Sequence, residues 1–357
     1  MADHHQSWID DALAKHRRLT PAVVRILENV LSRSSIEYLS ITGRTKELSS
    51  TEEKIRHKKY TQPEIQLTDL SGIRVITFLE TQVKAISDLI RATFDVDETN
   101  SLDRASHLGD DRIGYRSTHF VCTLGHSRQG LREYEALSEL IFEIQVRTVL
   151  QHAWAELAHD RSFKLGSGLP AKIQRKLNLY SGMLEIVDGA FDEIARDVQT
   201  YKSEIASKTV SQLSDTELNS LTLQPYLERL AEEYELTIEF NEIPDDILSE
   251  FKAFGLNKVG DLKKIAVREV LEQIGEHTTG DESAIGFIRT LMMYQDIDRY
   301  FSIWKKWTGM DRPTAALLAK RYGAAKFHKL MEEKGIWIEG EDNHSIPRNS
   351  MYGDIPL

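Results

Sequence analysis

Apolar and polar positions along the chain change period several times, and each change marks a predicted element. "TPAVVRILENVLSRSSIEYLSITGRTK", residues 20–46, opens on a Thr-Pro start signal and then sets Val24, Leu27, Val30 and Leu31 at helical spacing. The run "LTDLSGIRVITFL", residues 67–79, gathers β-branched residues around Ile73, Val75 and Thr77. "TQVKAISDLIRATF" after it returns to the helical period, so a strand followed by a helix is expected. Two more strands are expected in "GYRSTHFVCTL" and "LIFEIQVRT", with a helix leaving the second.

From Ile173 the apolar pattern becomes long and regular. Ile173, Leu177, Tyr180, Leu184, Val187, Phe191, Ile194, Val198, Tyr201 and Ile205 alternate steps of four and three, a heptad spacing. Such a stripe suits a helix laid back along its own domain or, alternatively, a self-association surface. "VSQLSDTELNS" resets the pattern with polar and capping residues, and helical segments punctuated by "NEIPDD", "GLNKVGD" and "HTTGDES" follow. The expected organisation is a helical lead over 1–21, a mixed α/β domain over 22–208 that includes a long helix from 170 to 208, a helical domain over 215–338 and a loosely ordered tail over 339–357. The aromatic-rich "YQDIDRYFSIWKKWTG" has the helical spacing of core.

Composition narrows the function classes. An apolar fraction of 41% and a charged fraction of 28% describe a water-soluble globular chain. No run approaches a membrane span and the start lacks a signal-peptide core, so a cytoplasmic setting without membrane partners is expected. Cys122 is the only cysteine, which excludes an internal disulfide and Cys-rich zinc sites. The net charge of −11 argues against indiscriminate nucleic-acid binding, but it is uneven: 18 Lys and Arg stand against 26 Asp and Glu from residue 206 onward, leaving 27 against 30 before it. The N-terminal part therefore has room for a local basic site.

That part also holds the candidate chemistry. On a strand, "FEIQVRT" turns Phe142, Ile144 and Val146 to one side and Glu143, Gln145 and Arg147 to the other. "GYRSTHF" offers Tyr115, Ser117 and His119 with the same period, and "TDLSGIR" places Asp69 at a strand entrance near Gly72 and Arg74. Two carboxylates, Asp69 and Glu143, suit Mg²⁺, which takes one or two carboxylates and fills its other positions with water and phosphate oxygens. Upstream, "GRTKELSSTEEKIRHKK" sets Arg44 and Lys46 on one face of an extended segment, and Ser49 or Ser50 is expected to cap a helix carrying Lys54 and Lys58. A helix N-terminus with convergent cations is a phosphate-binding arrangement, and neither a Walker A loop nor GxGxxG is present.

Taken in order and spacing, "GRTK…SS…EK", "DLSGIRVI", "GYRSTHF", "FEIQVRT" and "HAWAELAHDRSFK" resemble the synthetase domain of the RelA/SpoT family of alarmone synthetases. The resemblance implies an α+β fold, a nucleotidyltransferase-like mixed β-sheet flanked by helices, here followed by the long helix and a second, mostly helical domain. It implies transfer of the β,γ-pyrophosphate of ATP to the ribose 3′-hydroxyl of GDP or GTP, with Mg²⁺. Carried over, Arg44 and Arg74 would sandwich the adenine, and Lys46, Ser50 and Lys54 would hold the ATP phosphates. Asp69 and Glu143 would bind Mg²⁺, with Glu143 also the base. Tyr115 would stack on the acceptor base, with His119, Gln145 and Arg147 around the acceptor.

The sequence departs from the family pattern in places. Ala158 and Phe163 stand where members commonly have Glu and Tyr, and the loop "DRASHLGDDRIG" offers only Arg104 and Arg112 as cations beside Asp103, Asp110 and Asp111. Arg112 would be the acceptor-phosphate contact there. So few cations open an alternative to the free-nucleotide reaction, a toxic member that pyrophosphorylates the 3′ end of tRNA and is restrained by its acidic C-terminal domain; a third class is an inactive nucleotide-binding module, against which the intact Asp69 and Glu143 speak.

Overall fold

The computed structural model describes residues 2–103, 117–159, 170–240, 243–277, 282–304 and 307–340. The chain divides into two compact units, residues 1–197 and 198–357. The division falls inside the long helix rather than between 208 and 215, because the end of that helix, with Tyr201 and Ile205, packs in the second hydrophobic core.

In the first unit, α1 (Ala2–Leu31) is followed by β1 (Ser40–Thr45), α2 (Leu48–Lys58), β2 (Ser71–Thr77) and α3 (Glu80–Thr93). Then come β3 (Asp95–Val96), β4 (Leu102–Asp103), β5 (Thr118–Thr123), β6 (Phe142–Thr148), α4 (Val149–His159) and α5 (Ala171–Ser207). The sheet runs β1-β2-β6-β5-β3, with β4 also paired to β5. β2 and β6 are parallel, and the other pairings within the sheet are antiparallel. The mixed α+β class expected from the pattern is what forms.

Alternation decides the two faces of the sheet. Ile73, Val75, Phe120, Cys122, Phe142, Ile144 and Val146 are buried with Leu19, Val23 and Leu27 of α1 and Ile86 and Ile90 of α3. β1 lies close enough to α1 that a Cβ at Gly43 would meet the Thr20 and Val24 methyl groups at 2.7 Å, so this position requires glycine. The opposite face carries the polar rows.

Two expectations are corrected here. α1 does not begin at the Thr-Pro signal and has no separate lead before it; it runs through Pro21 from Ala2. A proline inside a helix removes one amide bond, but the buried face from Ile9 and Leu13 to Leu27 and Leu31 continues across it and outweighs the break. The second concerns α5. Its stripe faces water rather than its own domain: Ile173, Tyr180, Val187, Phe191 and Ile194 are exposed. The helix is held instead by its polar side, where Thr148 Oγ1 donates to the buried Asp188 at 2.8 Å and the backbone amide and hydroxyl of Thr81, in the first turn of α3, donate to Asp192.

Among the described residues the second unit is helical apart from two short parallel strand pairs, Ile238–Glu239 with Glu282–Ser283 and Gly309–Met310 with Trp337–Ile338. Its core includes Tyr226, Phe251, Phe287, Leu291 and Phe327, and the aromatic-rich segment belongs to it through Tyr300 and Phe301. Buried there, Glu250 accepts both Arg289 Nε and Nη2 and the Tyr300 hydroxyl, at 2.6–2.9 Å, so its charge is matched where water cannot reach. Among the described residues no helix is long and apolar enough to cross a membrane.

One buried polar knot ties α1 to the strands. His16 Nδ1 shares a hydrogen bond with Ser71 Oγ at 2.8 Å, and Thr20 Oγ1 reaches Ser71 Oγ and Thr45 Oγ1, both at 2.8 Å. Burial lowers the His16 pKa to about 4. The unfolded imidazole takes its proton near 6.5, so between those values the unfolded chain binds more protons and stability falls as the pH falls. Across that window the loss from this residue is roughly 3 kcal/mol. His16→Asn, which keeps a polar atom near Ser71 but cannot titrate, is expected to flatten the difference in melting temperature between pH 6.5 and 4; an unchanged slope would contradict it.

Candidate active site

Strand register assembles the polar face. Gly72 pairs with Glu143 and Arg74 with Gln145 across the parallel β2–β6 ladder; His119 pairs with Gln145 and Val121 with Glu143 across β5–β6; Arg44 pairs with Gly72 across β1–β2. Partners in a ladder share a face, so Arg44, Arg74, His119, Glu143, Gln145 and Arg147 project to one side of the sheet. A Cβ at Gly72 would meet nothing closer than the Arg44 carbonyl oxygen at 4.0 Å. Packing within the chain therefore does not require glycine there, and the space it leaves lies between Arg44 and Glu143.

Asp69 sits just ahead of β2 and organises one end. Its Oδ2 accepts Lys46 Nζ at 2.7 Å and Lys54 Nζ at 2.8 Å, one cation from the end of β1 and one from α2. Burial alone would raise this carboxyl, but the two ammonium groups bring it below the ordinary Asp value. The other oxygen, Oδ1, is buried with no hydrogen-bond partner.

Glu143 organises the centre. His119 Nδ1 lies 2.7 Å from its Oε1, Gln145 Nε2 donates to the same oxygen at 2.7 Å, and the far side of the imidazole, Nε2, is 2.8 Å from Ser117 Oγ. Burial pushes Glu143 up; His119 and Gln145 more than offset it, and the negative charge of Asp69 opposes them, so the group settles below its ordinary value. Behind it Arg147, itself buried, donates from Nη2 to Gln145 Oε1 at 2.7 Å.

Arg44, Lys46, Ser50, Lys54, His57 and Lys58 line an open cavity of about 400 Å³ together with Glu47 and Glu53. The cap of α2 is Glu47, with no side-chain cap bond, rather than Ser49 or Ser50. β1 pairing runs on to Lys46, whose amide donates to the Leu70 carbonyl, so the helix starts directly afterwards and both serines fall in its first turn. Its N-terminal amides open beside the cations, the geometry that receives phosphate oxygens.

Arg74 is not free over this cavity. It pairs with Glu156 of α4 at 2.9 Å, and His152, one turn earlier, lies 3.8 Å from the same carboxylate. Glu156 was missed in the sequence; its signal was the four-residue spacing from His152 at the start of the helix leaving β6. Tyr115 and Arg112 lie outside the described residues, as do Arg104, Asp110, Asp111 and Phe163.

The site is thus a cavity lined largely by cationic side chains beside two carboxylates, Asp69 just ahead of β2 and Glu143 near the start of β6. Among the described residues no group of three His, Cys, Asp or Glu side chains could enclose a metal. The pair Asp69 and Glu143, with Asp69 Oδ1 unpartnered, does fit a hard divalent cation that takes its other ligands from phosphate and water.

Residues 43–167 match the family model described as the region found in RelA/SpoT proteins. The GTP pyrophosphokinase YjbM of Bacillus subtilis (strain 168) is 26% identical over 177 residues, covering 49% of this chain and 79% of that protein. Among solved structures, small alarmone synthetase 1 from Bacillus subtilis matches with a TM-score of 0.45 at 23% identity, over 54% of this chain and 98% of that one. A GTP pyrophosphokinase family protein from Streptococcus pneumoniae gives 0.44 at 22%, over 56% and 97%.

Asp69 is the shared counter-ion of Lys46 and Lys54, two of the three lysines that line the cavity, and this has a measurable consequence. In metal-free buffer Asp69→Asn is expected to bind tripolyphosphate several-fold more tightly than the unaltered chain by calorimetry, because two ammonium groups lose their shared counter-ion. Unchanged or weaker binding would contradict that pairing.

Proposed function

Starting from the RelA/SpoT region at residues 43–167, we propose that the protein is a (p)ppGpp synthetase, moving pyrophosphate from ATP to the ribose 3′-hydroxyl of GDP or GTP with Mg²⁺. The observation that carries this reading is the convergence of Asp69, with its two lysines and unpartnered oxygen, and Glu143, with its histidine, on one sheet face.

In the proposed reaction the acceptor 3′ oxygen bonds the β-phosphorus of ATP, the bond from that phosphorus to the bridging oxygen breaks, and AMP leaves with the oxygen. The hydroxyl proton passes to Glu143. Glu143 is a carboxylate at neutral pH and so is ready to accept it, while His119 and Gln145 fix its direction. A carboxylate held this low is a weak base, so most of the acceleration must come from alignment and from positive charge meeting the transferred group, which suits phosphoryl chemistry. Lys46, Lys54 and the first turn of α2 hold the phosphates; Arg44, with Arg74 once released from Glu156, flanks the adenine. Mg²⁺ bound by Asp69 and Glu143 would supply charge neutralisation on the phosphate oxygens. Gln145, His119 and Tyr115 receive the acceptor, and Arg147 steadies Gln145 from behind.

The test is incubation of the full chain with γ-labelled ATP, Mg²⁺ and either GDP plus GTP or bulk tRNA. Label is expected in a guanine nucleotide, with the rate falling by at least ~100-fold in Glu143→Gln, whose amide keeps its neighbours in place. Label on tRNA alone, or equal rates in the variant, would overturn the proposal.

A further inference from the structure

In the proposed reaction two purine nucleotides meet on one sheet face, and the donor's place has to be closed to the acceptor's base. Stacking alone does not close it. Arg44 pairs with Gly72 across β1–β2 and Arg74 stands two residues further along β2, so the two arginines are diagonal neighbours with no side chain at Gly72 between them. Diagonal neighbours lie roughly 7 Å apart, which leaves room for one planar ring between two guanidinium groups. Every base offers a face for such stacking, so the slot by itself takes adenine and guanine alike. A group at the edge of the base has to tell them apart.

Resting on the synthetase reading, we propose that Glu156 is this group and sets the donor base, accepting the 6-amino group of adenine and opposing the 6-oxo group of guanine. Its Oε1 lies 2.9 Å from Arg74 Nη1, at the edge of one wall of the slot, and 52% of its side-chain surface is open to a ligand. His152, one turn earlier on α4, lies 3.8 Å from the same oxygen. Burial, together with the charges of Arg74 and Arg147, holds that imidazole below its ordinary value against the pull of Glu156. It is therefore neutral at neutral pH, and among the described residues Arg74 is the one charged partner of Glu156. When Arg74 turns to flank a base, the carboxylate needs a donor in its place. Adenine presents an N–H at its 6-position, whereas guanine presents an oxygen there and leaves the carboxylate unmatched. At a site this open, one hydrogen bond to a charged acceptor favours adenine over a 6-oxo purine by about ten-fold.

Calorimetric titration of the full chain tests this, with Mg²⁺ present and GDP saturating the acceptor's place. The ligands are the non-reacting α,β-methylene analogues of ATP and of inosine triphosphate, whose base carries the 6-oxo group of guanine. The unaltered chain is expected to bind the ATP analogue about ten-fold more tightly than the inosine analogue. In Glu156→Gln the two affinities are expected to become equal, because the amide donates to a 6-oxo group as readily as it accepts from a 6-amino group. Both ligands carry the same phosphate chain, so losing a negative charge shifts both affinities alike and only their ratio reads the base. Glu53→Gln, which removes a carboxylate from the cavity wall, is accordingly expected to keep the preference. Equal affinities in the unaltered chain, a preference that survives in Glu156→Gln, or one lost as fully in Glu53→Gln would overturn the assignment. Failure of the ATP analogue to bind the unaltered chain at all would overturn the synthetase reading itself, and this assignment with it.

Discussion

The parallel pairing of β2 with β6 sets Gly72 beside Glu143, and the rest of the site depends on that register. A slip by one residue in either strand would turn that strand's polar row, Arg74 of β2 or Glu143, Gln145 and Arg147 of β6, into the core and bring its apolar row, Ile73 and Val75 or Ile144 and Val146, out. The register is held because those four apolar side chains are fully buried with α1 and α3. The same burial that stabilises the unit therefore aims the polar row, and the chemistry needs no separate device to orient it. The His16, Thr20, Ser71 and Thr45 knot serves the same end from the other side, fixing the chain just before Lys46 and just after Asp69.

Charge is arranged in matched pairs that a ligand can reorganise. Asp69 holds Lys46 and Lys54, Glu156 holds Arg74, and His119 holds Glu143. Without such partners, several ions brought to one partly buried face would strongly oppose folding. With them the charges are balanced within the chain, and in the proposed reaction a phosphate chain with its cation would exchange partners rather than bring in unmatched charge. Asp69 Oδ1 is a buried acceptor without a donor, and the proposed cation would complete it.

Much of this was legible in the sequence because period-two alternation is a local signal. Ile144 and Val146 against Glu143 and Gln145 fix both faces of β6 before any contact is known. The two lysines at 46 and 54 and the carboxylate at 69 were also named, yet their joining on one oxygen depends on how β1, α2 and the approach to β2 converge, which no spacing reveals. Pro21 misled because its helix-breaking effect is local, whereas the burial that overrides it is tertiary. The stripe on α5 showed that one side of the helix seeks an apolar partner, but not that the sheet would take the opposite side through Asp188 and Asp192. Glu156 escaped notice since a single acid on a helix is an ordinary surface residue until Arg74 is found across from it.

The central claim is that Asp69 and Glu143 together form the cation and phosphate end of the site. The most direct measurement is the affinity for Mn²⁺, a paramagnetic substitute for Mg²⁺, followed by water-proton relaxation in the presence of a non-hydrolysable ATP analogue. The account predicts a binding site in the unaltered chain that weakens at least ~10-fold in Asp69→Asn and again in Glu143→Gln, in line with the loss of a charged ligand. Equal Mn²⁺ affinity in all three proteins would contradict it.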